Sequence, residues 1–125
     1  MTDAIDFVQR FCDEFGKGSG VDVIIDYFTD DAVYHNIPVD PVTGKDAIAG
    51  MFSMFTTGVE RIEFRVLNIV GAGDVVLTER VDVFVYPDKT IELPVMGTFE
   101  VRDGKIAAWR DYFDLNQYMS QLSGQ

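Results

Sequence analysis

Residues 93–115, "LPVMGTFEVRDGKIAAWRDYFDL", hold two strands and the turn that joins them. The pair Asp103-Gly104 supplies the positive φ angles that a two-residue hairpin turn needs. Side chains alternate along a strand, so Ala107, Trp109, Asp111 and Phe113 point one way, and Ala108, Arg110, Tyr112 and Asp114 the other. The second row is an ordinary wet face. The first sets a carboxylate among aromatic rings, where it is either the partner of a buried cation or a working base.

Strand character continues toward the N-terminus. Strands are expected over 61–70, 75–86, 90–102 and 105–113, with turns at "GAGD", "YPDK" and "RDGK". Pro94 cannot donate to a ladder, so it marks an edge or a bulge. Before Gly58 the period is helical. Ala4, Val8, Phe11, Cys12 and Phe15 share one side of a helix over 3–15, capped by Thr2 and stopped by "GKGSG". A short helix over Val21–Phe28 and another over 45–57, with Ile48, Met51, Phe52 and Phe55 on one side, flank a strand in "TDDAVYHNIP". Pro38 and Pro41 turn the chain after that strand. A short last helix begins near Leu115, capped by Asp114. Helices first and an antiparallel meander afterwards give an α+β domain. Its expected form is a cone: a strongly bent, mixed or antiparallel sheet, with the N-terminal helices closing a deep pocket.

The totals narrow the function. A chain of 125 residues is expected to form one domain over 1–125. A net charge of -11 repels phosphates, which disfavours nucleic acid and anionic membranes as partners. No apolar run approaches the ~20 residues of a membrane span. The acidic start "MTDAIDFVQR" lacks a signal-peptide core, so a cytoplasmic chain is expected. Cys12 is the sole cysteine and falls on the apolar side of a helix, as a small core residue would. His35 is the sole histidine and is read as structural or surface. With one of each, no metal-ligand spacing exists, and no glycine pattern matches a phosphate loop. Neither metal nor organic cofactor is expected.

Three strands each supply a compact polar set. In "TERVDVFVY", Arg80, Asp82, Phe84 and Tyr86 share one face and Val81, Val83 and Val85 the other. In "AVYHNIP", Tyr34 and Asn36 share a face, opposite Val33, His35 and Ile37. Asp111 stands on the last strand. Taken singly, each set could be a wet outer row, and the valines could be buried in a subunit interface. Taken together they hold two acids, one fixed cation and two neutral hydrogen-bonding groups, which is what acid–base activation of water requires. One arginine cannot fully compensate two anions in a dry pocket, so one acid keeps a proton near neutral pH while the other stays ionised.

The stretches "TERVDVF" and "LPVMGTFEVRDGKIAAWRDYFDL", with "DDAVYHNIPVDPVTGKDAI", resemble the limonene-1,2-epoxide hydrolase family over nearly the whole chain. The Trp-Arg-Asp-Tyr-Phe run is the sharpest part. The resemblance implies a nuclear transport factor 2-like, or cystatin-like, cone and a homodimer paired through the sheet. It also implies roles: Asp111 activates water, Tyr34 and Asn36 hold that water, Asp82 protonates the epoxide oxygen, and Arg80 bridges the two acids. Phe84, Leu93, Val95 and Phe113 match the apolar wall for the substrate. The reaction implied is one-step addition of water to a small, largely apolar epoxide, such as a terpene or cycloalkene oxide, giving a vicinal diol. No covalent intermediate, metal or cofactor takes part. The first helix and the loop after Asn36 are expected to shape the entrance, and the short N-terminus to leave it more open.

Two other readings remain at this point. One is a steroid-isomerase-like or polyketide-cyclase-like enzyme on the same cone, which needs no bridging arginine with a Tyr/Asn water clamp. The other is a non-catalytic small-molecule-binding module, for which the polar set need not be intact.

Overall fold

The computed structural model describes residues 3–124. Thr2, the expected first cap, lies outside them. Asp3 caps helix α1 (Ala4–Gly16), its carboxylate accepting from the Asp6 N–H at 3.0 Å. The helical stripe read from the sequence, Ala4, Val8, Phe11, Cys12 and Phe15, is buried in full. Helix α2 (Val21–Ile25) is shorter than expected. Phe28 instead opens strand β1 (Phe28–Asn36), where its ring is buried against Phe11, Phe52 and Trp109. The two-residue strand β2 (Val42–Thr43), unforeseen in the sequence, leads into helix α3 (Lys45–Phe55). The meander follows as β3 (Arg61–Ala72), β4 (Val75–Val85), β5 (Thr90–Arg102) and β6 (Lys105–Tyr112). Asp103 and Gly104 take φ of 52° and 74°, the paired positive angles of the expected turn. Helix α4 (Leu115–Leu122) closes the chain, capped by Asp114 as expected.

The six strands form one mixed sheet in the order β2-β1-β6-β5-β4-β3. Every neighbouring pair is antiparallel except β1 with β6. The sheet curls without closing, its register shifting in β3 between Val66 and Asn68, in β6 opposite Glu100 and Val101, and in β1 between Phe28 and Val33. Such irregularities bend strands and strengthen their twist. The one in β6 corrects the simple alternation. Ala108 pairs with Glu100 but Ile106 with Val101, so Ala107 is the extra residue. Ile106, fully buried, takes the inward place expected of Ala107, ahead of Trp109 and Asp111.

Pro94 fits the edge reading although β5 is an interior strand. Strand β6 starts pairing at Met96, so residues 90–95 have β4 on one side only. On the open side Gln121 of α4 stands in for the missing strand. Its amide accepts from the Glu92 N–H at 2.8 Å and donates to the Glu92 carbonyl at 2.9 Å. Two residues on, the nitrogen of Pro94 faces the same uncovered side, where no ladder bond is lost. Of the valines opposite Arg80 and Asp82, Val83 is buried and Val81 and Val85 half-buried within the single chain.

Helix α1 lies inside the curl, chiefly against β3. The core is an aromatic stack on its inner face. Trp109 is met edge-on by Phe11 at 5.1 Å and face-on by Phe99 and Tyr34 at 5.2 and 4.3 Å. That stack fills the floor behind the polar groups described next.

Candidate active site

Strand parity places the site. Arg80 and Asp82 project from one face of β4, and Asp111 from the same face of β6 two strands away. Between them, on β5, Gly97 lies in register with Thr78 on one side and Asp111 on the other. The long Arg80 side chain crosses above Gly97 to reach β6. A Cβ built on Gly97 would stand 2.4 Å from both Arg80 Nη1 and Asp111 Oδ1. Glycine is required here because the ion pair occupies the space a side chain would need.

Arg80 is shared by both acids. Its Nε and Nη2 donate to Asp82 Oδ1 and Oδ2 at 2.9 and 2.8 Å. Its Nη1 and Nη2 donate to Asp111 Oδ1 and Oδ2 at 3.2 and 2.8 Å. The Trp109 indole N–H adds a bond of 2.6 Å to Asp111 Oδ1, and the guanidinium lies 4.7 Å from the Phe64 ring centroid. Arg80, Asp82 and Asp111 are 1%, 4% and 3% exposed, so bulk water screens these charges little. A carboxylate offers about four acceptor positions. Asp111 has three of them filled, leaving one on Oδ2.

Burial raises the Asp82 carboxyl to about 6, its contacts with Arg80 pulling it down and the Asp111 charge pushing it up. Burial by itself would lower Arg80, but Asp111 and Asp82 outweigh it and hold the guanidinium well above its ordinary value. Tyr34, buried beside Asp111, is raised well above its ordinary value, mainly by desolvation. Its hydroxyl donates to Asn36 Oδ1 at 3.2 Å. The phenol oxygen and the Asn36 amide hydrogens are left to meet a third group.

These residues form the floor of a cavity of about 160 Å³. Tyr34, Asn36, Asp82 and Asp111 line it, as do Phe84, Leu93, Val95 and Phe113. Every site residue singled out in the sequence thus reaches this cavity except Arg80, which lies beneath the floor and holds the two acids from behind. Among the described residues, no three His, Cys, Asp or Glu side chains gather as a metal site would require.

A family model described as the limonene-1,2-epoxide hydrolase catalytic domain matches residues 2–123. The chain belongs to the limonene-1,2-epoxide hydrolase family. Among curated relatives, epoxide hydrolase EphG of Mycobacterium tuberculosis (strain ATCC 25618 / H37Rv) is 36% identical over 86 residues. That match covers 69% of this chain and 57% of EphG, so the aligned part spans little more than half of the relative. A solved structure of a limonene-1,2-epoxide-hydrolase-like epoxide hydrolase from M. tuberculosis superposes with a TM-score of 0.82 at 31% identity, covering 97% of this chain and 90% of that one. The fold reaches further. A proposed SnoaL-like polyketide cyclase of Shewanella putrefaciens CN-32 has a TM-score of 0.86 at 15% identity, with 100% and 99% coverage.

Of the two segments expected to shape the entrance, the loop after Asn36 lines the cavity through Val39, while α1 does not; Met51 and Phe55 of α3 and Leu115 and Tyr118 of α4 line it too. Val39 is held there by His35, whose Nε2 pairs with the Val39 carbonyl at 2.9 Å, a structural use of the sole histidine. Four features of the site are not foreseen in the sequence: Thr78, the hydrogen bond from Trp109, Phe64 and the α4 contribution. Thr78 stands in the same inward row as Arg80 and Asp82, and parity alone could have placed it; Gly97 shares the inward row of Ile91, Leu93 and Val95, as alternation along that strand puts it. Their importance depends on the diagonal path of Arg80, which parity does not give.

Proposed function

We propose that the protein hydrolyses small apolar epoxides to vicinal diols in one acid–base step. The observation that carries this reading is one guanidinium forked between two buried carboxylates at the floor of an apolar cavity. In this scheme Asp111 is the base. Three N–H donors fix its two oxygens and leave one lone pair free for a water proton. Tyr34 and Asn36 orient that water, so little rotational freedom is lost on reaching the transition state. The water oxygen bonds to a ring carbon as the C–O bond of the epoxide breaks. The electron pair of that bond takes the proton of Asp82, whose raised carboxyl retains it near neutral pH. The proton gained by Asp111 then replaces the one Asp82 gave. Arg80 holds both acids throughout, and no metal or organic cofactor enters.

The cavity size bears on the substrate. An apolar cavity of about 150 Å³ holds a benzene ring. The 160 Å³ here therefore suits a cycloalkene oxide of about that size, walled by Phe84, Leu93, Val95 and Phe113. A ten-carbon terpene oxide needs the mouth to give way. The experiment is turnover of cyclohexene oxide and larger cyclic epoxides by the wild type, Asp111→Asn and Asp82→Asn. Each substitution should cost on the order of 10²–10⁴ in kcat, the usual worth of a proton-transfer group. Near-wild-type turnover by either variant removes its assigned role. Substrate consumption without diol would favour another reaction on this cone.

We further propose that the chain, acting as one domain over 1–125, works in the cytoplasm as a homodimer paired through the outer face of the sheet. In support, that face exposes Val70 beside Leu77, with Val75 nearby, and Met96 beside Tyr112. No helix among the described residues is long and apolar enough to cross a membrane. Sedimentation should give twice the 14.0 kDa chain mass, and a species of that single mass would remove the dimer.

A further inference from the structure

Arg80 has five N–H hydrogens. The two aspartates take four: Nε and one Nη2 hydrogen go to Asp82, the other Nη2 hydrogen and one from Nη1 to Asp111. The fifth, on Nη1, goes to Thr78 Oγ at 3.1 Å. Thr78 is 0% exposed, and its hydroxyl in turn donates to the Gly97 carbonyl at 3.3 Å. With the hydroxyl proton committed to Gly97, a lone pair on Oγ is turned toward Arg80.

A guanidinium held only by two acids on neighbouring edges can rotate in its own plane. Moving Nη1 fully onto Asp111 draws Nε away from Asp82. Thr78 contacts the corner that such a rotation would carry off. We infer that Thr78 is a positioning residue, whose hydroxyl fixes the third corner of the Arg80 guanidinium and keeps it shared between Asp82 and Asp111. The inference rests on the proposed acid–base pair. It adds a residue that touches neither water nor substrate, since Thr78 is absent from the cavity lining.

The consequence falls on Asp82. The ionisable groups around it are Arg80 on its own strand, Asp111 on β6, Tyr34 on β1 and Cys12 on α1. The Cys12 thiol, pushed up to about 12 by burial, and the raised Tyr34 phenol are both neutral over the working range. Only Arg80 and Asp111 carry charge against it. Releasing Nη1 from Thr78 therefore leaves Asp82 less compensated and raises its titration midpoint.

The test is a carbon-13 NMR titration of the Asp82 carboxyl in wild type, Thr78→Val, Thr78→Ala and Thr78→Ser, alongside kcat and KM. Valine and alanine should raise the midpoint by about half a unit or more, since an opposite charge within reach shifts a carboxyl by about 1–3 units. The same variants should lower kcat about tenfold or more with KM nearly unchanged, as for a group that acts on alignment. Serine, which keeps the hydroxyl, should match the wild type in both. An unmoved midpoint in the valine and alanine variants overturns the inference whatever the activity. So does a serine variant that behaves like valine, which would make the methyl group responsible. If valine does not fold, alanine carries the same readout. A wild type that hydrolyses no epoxide would defeat the functional reading while leaving this titration a valid test of the brace.

Discussion

Gly97 is where one added methyl group would do most damage. The space above it holds the contact between Arg80 Nη1 and Asp111 Oδ1. Gly97→Ala should leave the strand paired but displace that contact, costing about 10²-fold in kcat, the scale of an ångström-sized misplacement. An alanine variant with wild-type kcat would mean that the arginine need not lie where it does. Asp82 makes a second prediction through stability. Its folded-state carboxyl sits at about 6, above the ordinary 3.8. The folded state thus holds the proton more tightly, and the associated stability is complete below about pH 3.8 and lost as pH rises through 6. Asp82→Asn removes this dependence. Its stability relative to wild type in urea melts should increase between pH 4 and 7, and a decrease would mean that ionised Asp82 is favoured in the fold.

At the scale of elements, legibility tracked how local the cause was. The α1 stripe, the Asp114 cap and the Asp103-Gly104 turn each depend on a few adjacent residues, and each stands where the sequence puts it. Alternation along β4 was enough to put Arg80, Asp82 and Phe84 on one face, but not to say whether that face turned inward, which the structure shows it does. Alternation along β6 failed at Ala107, because a bulge is decided by the partner strand and leaves no mark of its own. The parallel pairing of β1 with β6 was hidden for the same reason. Helix α4 shows the limit most plainly. None of its residues is fully buried, yet Leu115 and Tyr118 wall the cavity, and Gln121 ties the helix to Glu92. Gln121→Ala should loosen that tie. Amide hydrogens of α4 should exchange faster, and the KM for a ten-carbon epoxide should fall relative to cyclohexene oxide. If neither changes, Gln121 does not hold the mouth.

For the whole molecule, the cone is the common property and the polar floor the particular one. Chains related at 15% identity share nearly all of this architecture, so the fold cannot by itself name the reaction. What the proposed function adds is a claim about the attacking atom. Asp111 has three N–H donors on its two oxygens, which blunts it as a nucleophile and leaves one lone pair suited to taking a proton. Water, not the carboxylate, should therefore bond to the ring carbon. Single-turnover hydrolysis in ¹⁸O-water, with enzyme in excess over cyclohexene oxide, examines this directly. With water as the attacking group, the diol carries ¹⁸O from the first turnover and the protein stays unlabelled. An unlabelled first-turnover diol, with ¹⁸O then found in Asp111, would contradict it.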